Sequence, residues 1–130
     1  MASSFAETQT GENERSVVMP ESLSVEVVAS GTGPVLRLRG NLAYGQNLTA
    51  IHEAVSRLRS EGHTRLVVDL SAVASIDSSG LSALLDIKQT IGGREGRVIL
   101  LRPSERVREN LAMIRVTSLF EIAEDGPEAL

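Results

Sequence analysis

The stretch LVVDLSAVASIDSSGLSALL (Leu66–Leu85) decides the fold. Its apolar start, with RLVVDL (Arg65–Leu70) rich in β-branched residues, is typical of a strand buried on both faces. Its end, from about Ser79, repeats leucine at helical spacing. The small polar residues between them are those preferred at the start of a helix. The stretch therefore predicts a strand that passes directly into a helix.

The sequence on both sides continues this alternation of strands and helices. An antiparallel hairpin is expected from LSVEVVAS (Leu23–Ser30) and VLRLRG (Val35–Gly40), joined by the turn GTGP. A helix is expected over residues 47–59, a strand over RVILL (Arg97–Leu101) and a third helix capped by Ser104, with Val107, Leu111 and Ile114 inside. A last short strand is expected in LFEIAED (Leu119–Asp125).

This element order predicts an α/β domain with a central mixed, mostly parallel sheet of four to five strands, packed by three to four helices. With 130 residues, the chain fits one such domain. We expect a flexible polar tail over residues 1–20, the domain over residues 21–125 and a short C-terminal tail over residues 126–130.

Composition excludes several classes of function. The chain has no cysteine, so disulfides and thiolate chemistry are excluded. A net charge of −4 and 2% aromatic residues argue against nucleic-acid binding. No apolar run reaches the length of a membrane helix, and the N-terminus lacks the pattern of a secretory signal. We therefore expect a cytoplasmic protein without membrane insertion.

The patterns of common enzymes are also missing. The two histidines, His52 and His63, are expected on a solvated helix side and in a turn, without metal-ligand spacing. Neither a GxSxG elbow nor a phosphate-binding loop is present, and Lys88, the single lysine, is expected in the middle of a helix. The sequence therefore predicts a protein that is not an enzyme and holds no metal or cofactor.

The segment Asp77-Ser78-Ser79-Gly80 has two interpretations. Asp and Ser could serve only to cap the helix, since their side-chain oxygens accept hydrogen bonds from the free N–H groups of the first turn. The same helix start would also accommodate a phosphate on a serine, because it offers those N–H groups and a positive partial charge. In the second case the segment is a switch for a partner.

The residues from Leu66 to Leu85 resemble the signature of the STAS domain family, specifically the bacterial anti-sigma factor antagonists. GGREGRVILLRPSERVRENLAMIRVTSLFEIAED (Gly92–Asp125) resembles the rest of that domain, and the similarity covers about Leu23 to Glu124. The resemblance implies that the unmodified protein binds an anti-sigma factor, typically a serine kinase of the GHKL type, and so frees a sigma factor.

The resemblance also implies roles for individual residues. Ser78 would be the phosphoacceptor, with Asp77, Ser79 and Gly80 as the surrounding motif. Leu81 and Ser82 would border the partner surface. Phosphorylation by the kinase would weaken binding, a phosphatase would restore it, and ATP and magnesium would belong to the kinase. The protein itself is expected to be a monomer or a weak dimer.

One position departs from the family pattern. Many members carry an acidic residue near the phosphoacceptor in a Gly-x-Leu-Asp pattern, but this chain has Gly40-Asn41-Leu42-Ala43. Gly40 and Gly45 are interpreted as turn residues. An alternative function stays open, since STAS domains also occur as accessory subunits of membrane transporters and in stress-sensing complexes. Such members often lack the double serine, which favours the antagonist here.

Overall fold

The computed structural model describes residues 23–92, 96–113, 115 and 119–124. Within these residues the chain forms five strands, three α-helices and one five-residue π-helical segment. In chain order these are β1 (Ser24–Ser30), β2 (Gly33–Leu42), α1 (Leu48–Ser60), β3 (Arg65–Ile76), α2 (Ser78–Ile87), the π segment (Lys88–Gly92), β4 (Arg97–Leu101), α3 (Glu105–Met113) and β5 (Glu121–Ala123). The predicted tails, residues 1–20 and 126–130, lie outside the described residues.

The five strands form one mixed sheet in the order β1-β2-β3-β4-β5. The predicted hairpin is confirmed, because β1 and β2 pair antiparallel from Ser24↔Arg39 to Ser30↔Gly33. The remaining neighbours pair in parallel, as the alternation of strands and helices predicted. The α/β class and the mostly parallel sheet are therefore confirmed, with five strands.

The main core lies between the sheet and the helices. Strand residues of one face, such as Leu36, Leu66 and Leu100, cluster with helix residues such as Ile51 and Leu84. Each fully buried side chain of this size stabilises the fold by about 1.5–3 kcal/mol. We call this side of the sheet the helix face. The opposite side, called the second face, carries a smaller cluster of Val35, Val67, Ile99 and Leu101.

Strand β3 differs from the prediction. The interpretation of Arg65–Leu70 as a strand on which every central position is buried is confirmed, but the strand continues to Ile76. Its pairing with β2 contains two register shifts, between Arg37 and Arg39 and between Gly40 and Asn41. Such irregularities put extra residues into one strand, so the simple alternation of apolar and polar residues is lost. The six-residue extension carries the strand to the start of α2.

The ends of the helices also differ in detail. Helix α2 begins at Ser78, one residue before the predicted start, and ends at Ile87. The π segment then continues to Gly92, with Ile91 buried as predicted. Helix α3 begins after Ser104, whose Oγ accepts a hydrogen bond from the N–H of Val107 at 3.1 Å, which confirms the predicted cap.

Two further predictions extend past the described residues. The last strand is confirmed only over Glu121–Ala123, since Leu119 and Phe120 precede it and Asp125 lies outside the described residues. Val107 and Leu111 form the inner face of α3 as predicted. Ile114, the third residue predicted for that face, also lies outside the described residues.

Candidate functional site

Asp77 joins the end of β3 to the start of α2. Its backbone is extended, and its Oδ1 accepts a hydrogen bond from the N–H of Gly80 at 3.0 Å. Its carbonyl oxygen accepts the first helical hydrogen bond, from the N–H of Leu81 at 2.8 Å. An aspartate in this position satisfies N–H groups that the helix itself leaves free. Asp77 is therefore the N-cap of α2.

The same side chain also holds the loop after β2. The second carboxylate oxygen, Oδ2, accepts a hydrogen bond from the N–H of Tyr44 at 3.0 Å. The backbone N–H of Asp77 donates to the carbonyl oxygen of Leu42 at 3.1 Å. The ring of Tyr44 is left 85% exposed beside the start of α2. One residue thus ties the helix start to the loop that carries this exposed aromatic residue.

Gly80 allows the helix to approach the end of β2 closely. A Cβ atom at this position would lie 1.9 Å from the carbonyl oxygen of Leu42. A real Cβ atom cannot be accommodated at that distance from a backbone atom, so only glycine fits without moving the helix. The glycine of the motif therefore positions α2, and the loop contact of Asp77 depends on that position.

Two hydrogen bonds define the electrostatics of the cap. The N–H groups of Gly80 and then of Tyr44 hold the pKa of Asp77 below its ordinary value, because they stabilise the ionised carboxylate. Asp77 therefore stays charged at neutral pH. Any further negative charge added next to it would meet a carboxylate that cannot easily take up a proton.

The two serines differ in their accessibility. Ser78 is exposed at the first residue of α2, whereas Ser79 is half-buried. Ser79 lines a shallow groove between α1 and α2, together with Ser82 and with His52 on α1. The hydroxyl of Ser78 is thus the one that a large partner could reach without displacing other side chains.

The two residues predicted to border a partner surface lie in different surroundings. Ser82 is exposed, one turn after Ser78 and on the groove between α1 and α2. Leu81 is half-buried and packs against the main core. Ser82 is therefore accessible beside Ser78, while Leu81 offers only part of its side chain.

Three contributions to this region were missed by the sequence analysis. Tyr44 approaches Asp77 from 33 positions away, and Nδ1 of His52 lies 3.2 Å from Oδ2 of Asp86, which links α1 to α2. The side chain of Asn110 on α3 accepts a hydrogen bond from the N–H of Ile76 at 3.1 Å. Each contact joins residues far apart in sequence, so no local pattern indicates it.

The described residues offer little that would hold a metal ion. No group of three or more His, Asp or Glu side chains comes together within the described ranges. Ala43, which departs from the Gly-x-Leu-Asp pattern described above, lies half-buried in the loop between β2 and α1.

The sequence of the chain matches a known protein family. The family model described as the STAS domain matches residues 24–129, which is most of the chain and all five strands. The chain belongs to the STAS domain family. The resemblance noted in the sequence is therefore confirmed at the level of the family.

Solved STAS structures share this fold. An anti-sigma factor antagonist from Mycobacterium paratuberculosis is 20% identical with a TM-score of 0.72, over 87% of this chain and 95% of that chain. The unphosphorylated form of the anti-sigma factor antagonist SpoIIAA is 24% identical with a TM-score of 0.60, over 83% of this chain and 92% of that chain. The phosphorylated form of SpoIIAA, from Bacillus, is 23% identical with a TM-score of 0.61, over 83% and 96%. At these identities the similarity concerns the fold.

Similarity in sequence also extends to plant sulfate transporters. Sulfate transporter 3.2 of Arabidopsis thaliana is 35% identical over 65 residues, which is 48% of this chain and 10% of that protein. Sulfate transporter 3.1 of the same plant is 34% identical over 64 residues. The chain thus spans about a tenth of the length of these relatives. Within its described residues, no helix is long and apolar enough to cross a membrane.

Proposed function

We propose that this STAS domain is an anti-sigma factor antagonist that is switched off by phosphorylation of Ser78. One observation carries the proposal: the exposed hydroxyl of Ser78 stands at the first residue of α2, next to an ordered cap and an exposed Tyr44. In its unmodified form, the protein would bind an anti-sigma factor that is a serine kinase of the GHKL type. Binding would free the sigma factor.

The physical basis of the switch is the charge at the helix start. Phosphorylation adds about two negative charges at neutral pH and three acceptor oxygens. The positive end of the α2 dipole and the free N–H groups of its first turn stabilise such a group, so the fold is retained. Ionised Asp77 repels it, which turns the phosphate outward, toward the surface where a partner would lie.

The phosphate would lower the affinity of the domain for its partner. A protein surface that accommodates a neutral serine loses affinity when a dianion must be desolvated at the same place. Tyr44 is exposed and its backbone N–H bonds to Asp77, and exposed Ser82 lies one turn after Ser78, so both would lie under the partner. The domain is then a substrate of the kinase, and a phosphatase would return it to the binding form.

Solved structures with a similar fold support the proposal. Two of them are described as anti-sigma factor antagonists, and SpoIIAA is known in both an unphosphorylated and a phosphorylated form. Both forms of SpoIIAA share the fold of this chain at TM-scores of 0.60 and 0.61. A STAS fold of this kind therefore tolerates the modification in that protein.

The test is a set of pull-downs from native lysate with four baits: wild type, Ser78→Ala, Ser78→Asp and Ser78→Asn. Asparagine matches aspartate in size without its charge, so it separates the effect of charge from that of volume. We expect wild type and Ser78→Ala to capture a GHKL-type serine kinase. Ser78→Asp should lose it by at least about tenfold, which is about 1.4 kcal/mol, while Ser78→Asn should retain most of it.

Two results would contradict this function. Equal capture of the kinase by Ser78→Asp and Ser78→Asn would show that negative charge at this position does not weaken binding. Absence of any kinase from the wild-type and Ser78→Ala captures would leave Asp77-Ser78-Ser79-Gly80 as a helix cap alone.

A second candidate function is that of an accessory STAS subunit of a membrane transporter or of a stress-sensing complex. The matches to two sulfate transporters over about half of this chain favour it. The same pull-downs distinguish the two functions. Capture of transporter or scaffold subunits by all four baits, without a kinase, would support the accessory subunit.

A further inference from the structure

Strand β1 lies at the edge of the sheet and lacks the features that usually keep an edge from pairing. Within the described residues it pairs with β2 alone, along all seven of its residues and without a register shift. Its sequence, SVEVVAS, contains neither proline nor lysine. The other edge strand, β5, is only three residues long. Sheet edges are protected by short strands, lysine, proline or bulges, and only β5 has such protection.

Every second residue of β1 directs its backbone groups away from β2. In an antiparallel pair of strands, opposed residues alternate between pairs that exchange two hydrogen bonds and pairs that exchange none. Ala29 lies opposite Pro34, which has no N–H, so this pair is one of those that exchange none. By the same alternation, the N–H and C=O groups of Ala29, Val27 and Val25 are directed toward a neighbour on the outer side of β1.

The side chains of the same residues form an apolar strip beside α1. Val25 and Val27 line one wall of a groove, and Ala54 and Leu58 of α1 line the other. Val27 is 45% exposed, although it lies on the helix face. Ala29 is also exposed, and the alternation of the strand puts it on the same face. A strand that paired with β1 would cover this apolar strip.

We propose that β1 pairs antiparallel with β1 of a second copy of this chain, about a two-fold axis at Val27. In this register Val27 lies opposite its own copy, and Val25 lies opposite Ala29 of the second copy. Each of these pairs exchanges two hydrogen bonds and brings apolar side chains together on the helix face. On the second face Glu26 lies opposite Val28, so like charges are not directly opposed. This inference is independent of the phosphorylation proposed above.

The charges at the rim of the groove are complementary to those of a second copy. The rim carries Glu53, Arg57 and Glu61 of α1, spaced four residues apart. Among the residues that the structure describes, Glu61 lies 3.8 Å from His63, whereas Glu53 and Arg57 make no ion pair. A two-fold axis reverses the direction of α1, so it brings Arg57 of each copy toward Glu53 of the other. Such exposed pairs add little affinity but favour this partner over others.

Cysteine cross-linking tests the pairing and its register in the full-length chain, which has no cysteine of its own. Val27→Cys places two thiols opposite each other across the axis, with Cα atoms about 5.5 Å apart, which suits a disulfide. Ala29→Cys is the matched control on the same face, because the two copies of residue 29 would lie about 13 Å apart. Under mild oxidation, Val27→Cys should form a linked dimer at least about tenfold faster than Ala29→Cys.

A mixture of Val25→Cys and Ala29→Cys chains separates this register from others. We expect the two variants to cross-link with each other and neither of them with itself. Cross-linking of Ala29→Cys alone as fast as Val27→Cys would overturn the proposal, and so would a mixture that does not cross-link.

Sedimentation equilibrium measures the dimer of the unaltered protein without a cross-link. The mass should rise from one chain toward two as the concentration increases to about 1 mM, at which even a dimer with a millimolar Kd is populated. The mass of a single chain at every concentration would overturn the proposal. A dimer in which Val27→Cys does not cross-link would also overturn it, since another surface would then hold the two copies together.

Exchange of charges tests whether the two α1 helices face each other. Arg57→Glu and Glu53→Arg should each weaken the dimer, because each variant opposes like charges across the axis. Mixed in equal amounts, the two variants should form a heterodimer with an affinity within about twofold of wild type. A loss of affinity that mixing does not restore would contradict the two-fold arrangement.

Discussion

The starts of α2 and α3 have the same capping geometry, yet we propose a switch only at α2. In each, a side-chain oxygen of the cap accepts the N–H three residues later, at 3.0 Å for Asp77 and 3.1 Å for Ser104. In each, the cap carbonyl accepts the N–H four residues later, at 2.8 Å and 2.9 Å. The two helix starts therefore share the geometry of the cap and differ in the cap residue and in what surrounds it.

The two helices also differ in their first residue. In α3 it is Glu105, an acidic residue, and in α2 it is Ser78, whose side chain is an uncharged hydroxyl. The Oγ of Ser104 also donates to the carbonyl oxygen of Val73, so that cap points into the fold, whereas Asp77 holds the exposed loop of Tyr44. The start of α3 thus already carries one acidic side chain at the position where phosphorylation would add about two negative charges to α2.

The largest expected effect in this comparison comes from Gly80→Ala. The added methyl group would collide with the carbonyl oxygen of Leu42, so α2 must move away from β2. Overpacking against a backbone atom should lower the free energy of unfolding by about 3 kcal/mol. The equivalent position of α3 is Val107, which already carries a side chain.

Urea denaturation measures this change. Gly31→Ala is the matched control, because a Cβ atom there meets no atom within 4 Å and the backbone does not have a positive φ. If Gly80→Ala lowers the free energy of unfolding no more than Gly31→Ala does, the close approach of α2 to the carbonyl oxygen of Leu42 is not important for stability.

Removing either cap should have a smaller effect. Asp77→Ala and Ser104→Ala should each lower the free energy of unfolding by about 1 kcal/mol, the usual cost of a lost N-cap. Only Asp77→Ala should also speed hydrogen exchange at the amide of Tyr44, since that N–H bonds to Oδ2 of Asp77. Faster exchange at Tyr44 in Ser104→Ala as well would mean that the loop responds to general loss of stability.

A charge at the first residue of α2 should hardly change stability. Because α3 already has Glu105 at this position, we expect the free energy of unfolding of Ser78→Asp to stay within about 0.5 kcal/mol of wild type. Thermal unfolding checks this value. A strongly destabilised Ser78→Asp protein would contradict the idea that the fold survives the modification.

The smallest effect is a dependence on pH that only the α2 cap should show. The pKa of Asp77 is lowered from 3.8 by the N–H groups of Gly80 and Tyr44. A lowered pKa in the folded state stabilises the protein above the unfolded value, and this contribution is lost as pH falls through the folded pKa. The difference in unfolding free energy between wild type and Asp77→Asn should therefore narrow as pH falls from about 5 to about 3.

Ser104→Ala provides the control for this titration. A hydroxyl does not ionise in this range, so its difference from wild type should not change with pH. If the difference in unfolding free energy between wild type and Asp77→Asn also stays constant with pH, the two backbone hydrogen bonds do not stabilise the ionised carboxylate of Asp77.

The course of the chain was predictable where burial follows a simple period. The alternation of Leu36 and Leu38 with exposed Arg37 and Arg39 identified β2, and the apolar run of β3 identified a central strand. The extension of β3 to Ile76 was missed because the register shifts with β2 break this period. The π segment after Ile87 was missed for a similar reason, since its Ile91 fits the helical stripe in either geometry.

The candidate site was predictable only as far as its local sequence. Preferences at helix starts predicted that Asp and Ser cap a helix beginning near Ser79, and the structure puts the cap at Asp77 and the first helical residue at Ser78. The contacts of Asp77 with Tyr44 and of Gly80 with Leu42 join residues more than 30 positions apart, and depend on how α2 lies against β2. The periodicity of the sequence does not indicate how closely α2 approaches β2.

The most direct test of the central claim is to map the phosphate on the protein isolated from its native cells. Intact-mass and fragment mass spectrometry should find one phosphate, on Ser78, in wild type and in Ser79→Ala, and none in Ser78→Ala. A phosphate on half-buried Ser79 that persists in Ser78→Ala would show that the exposed first residue of α2 is not the switch. So would a wild-type protein that carries no phosphate under any growth condition.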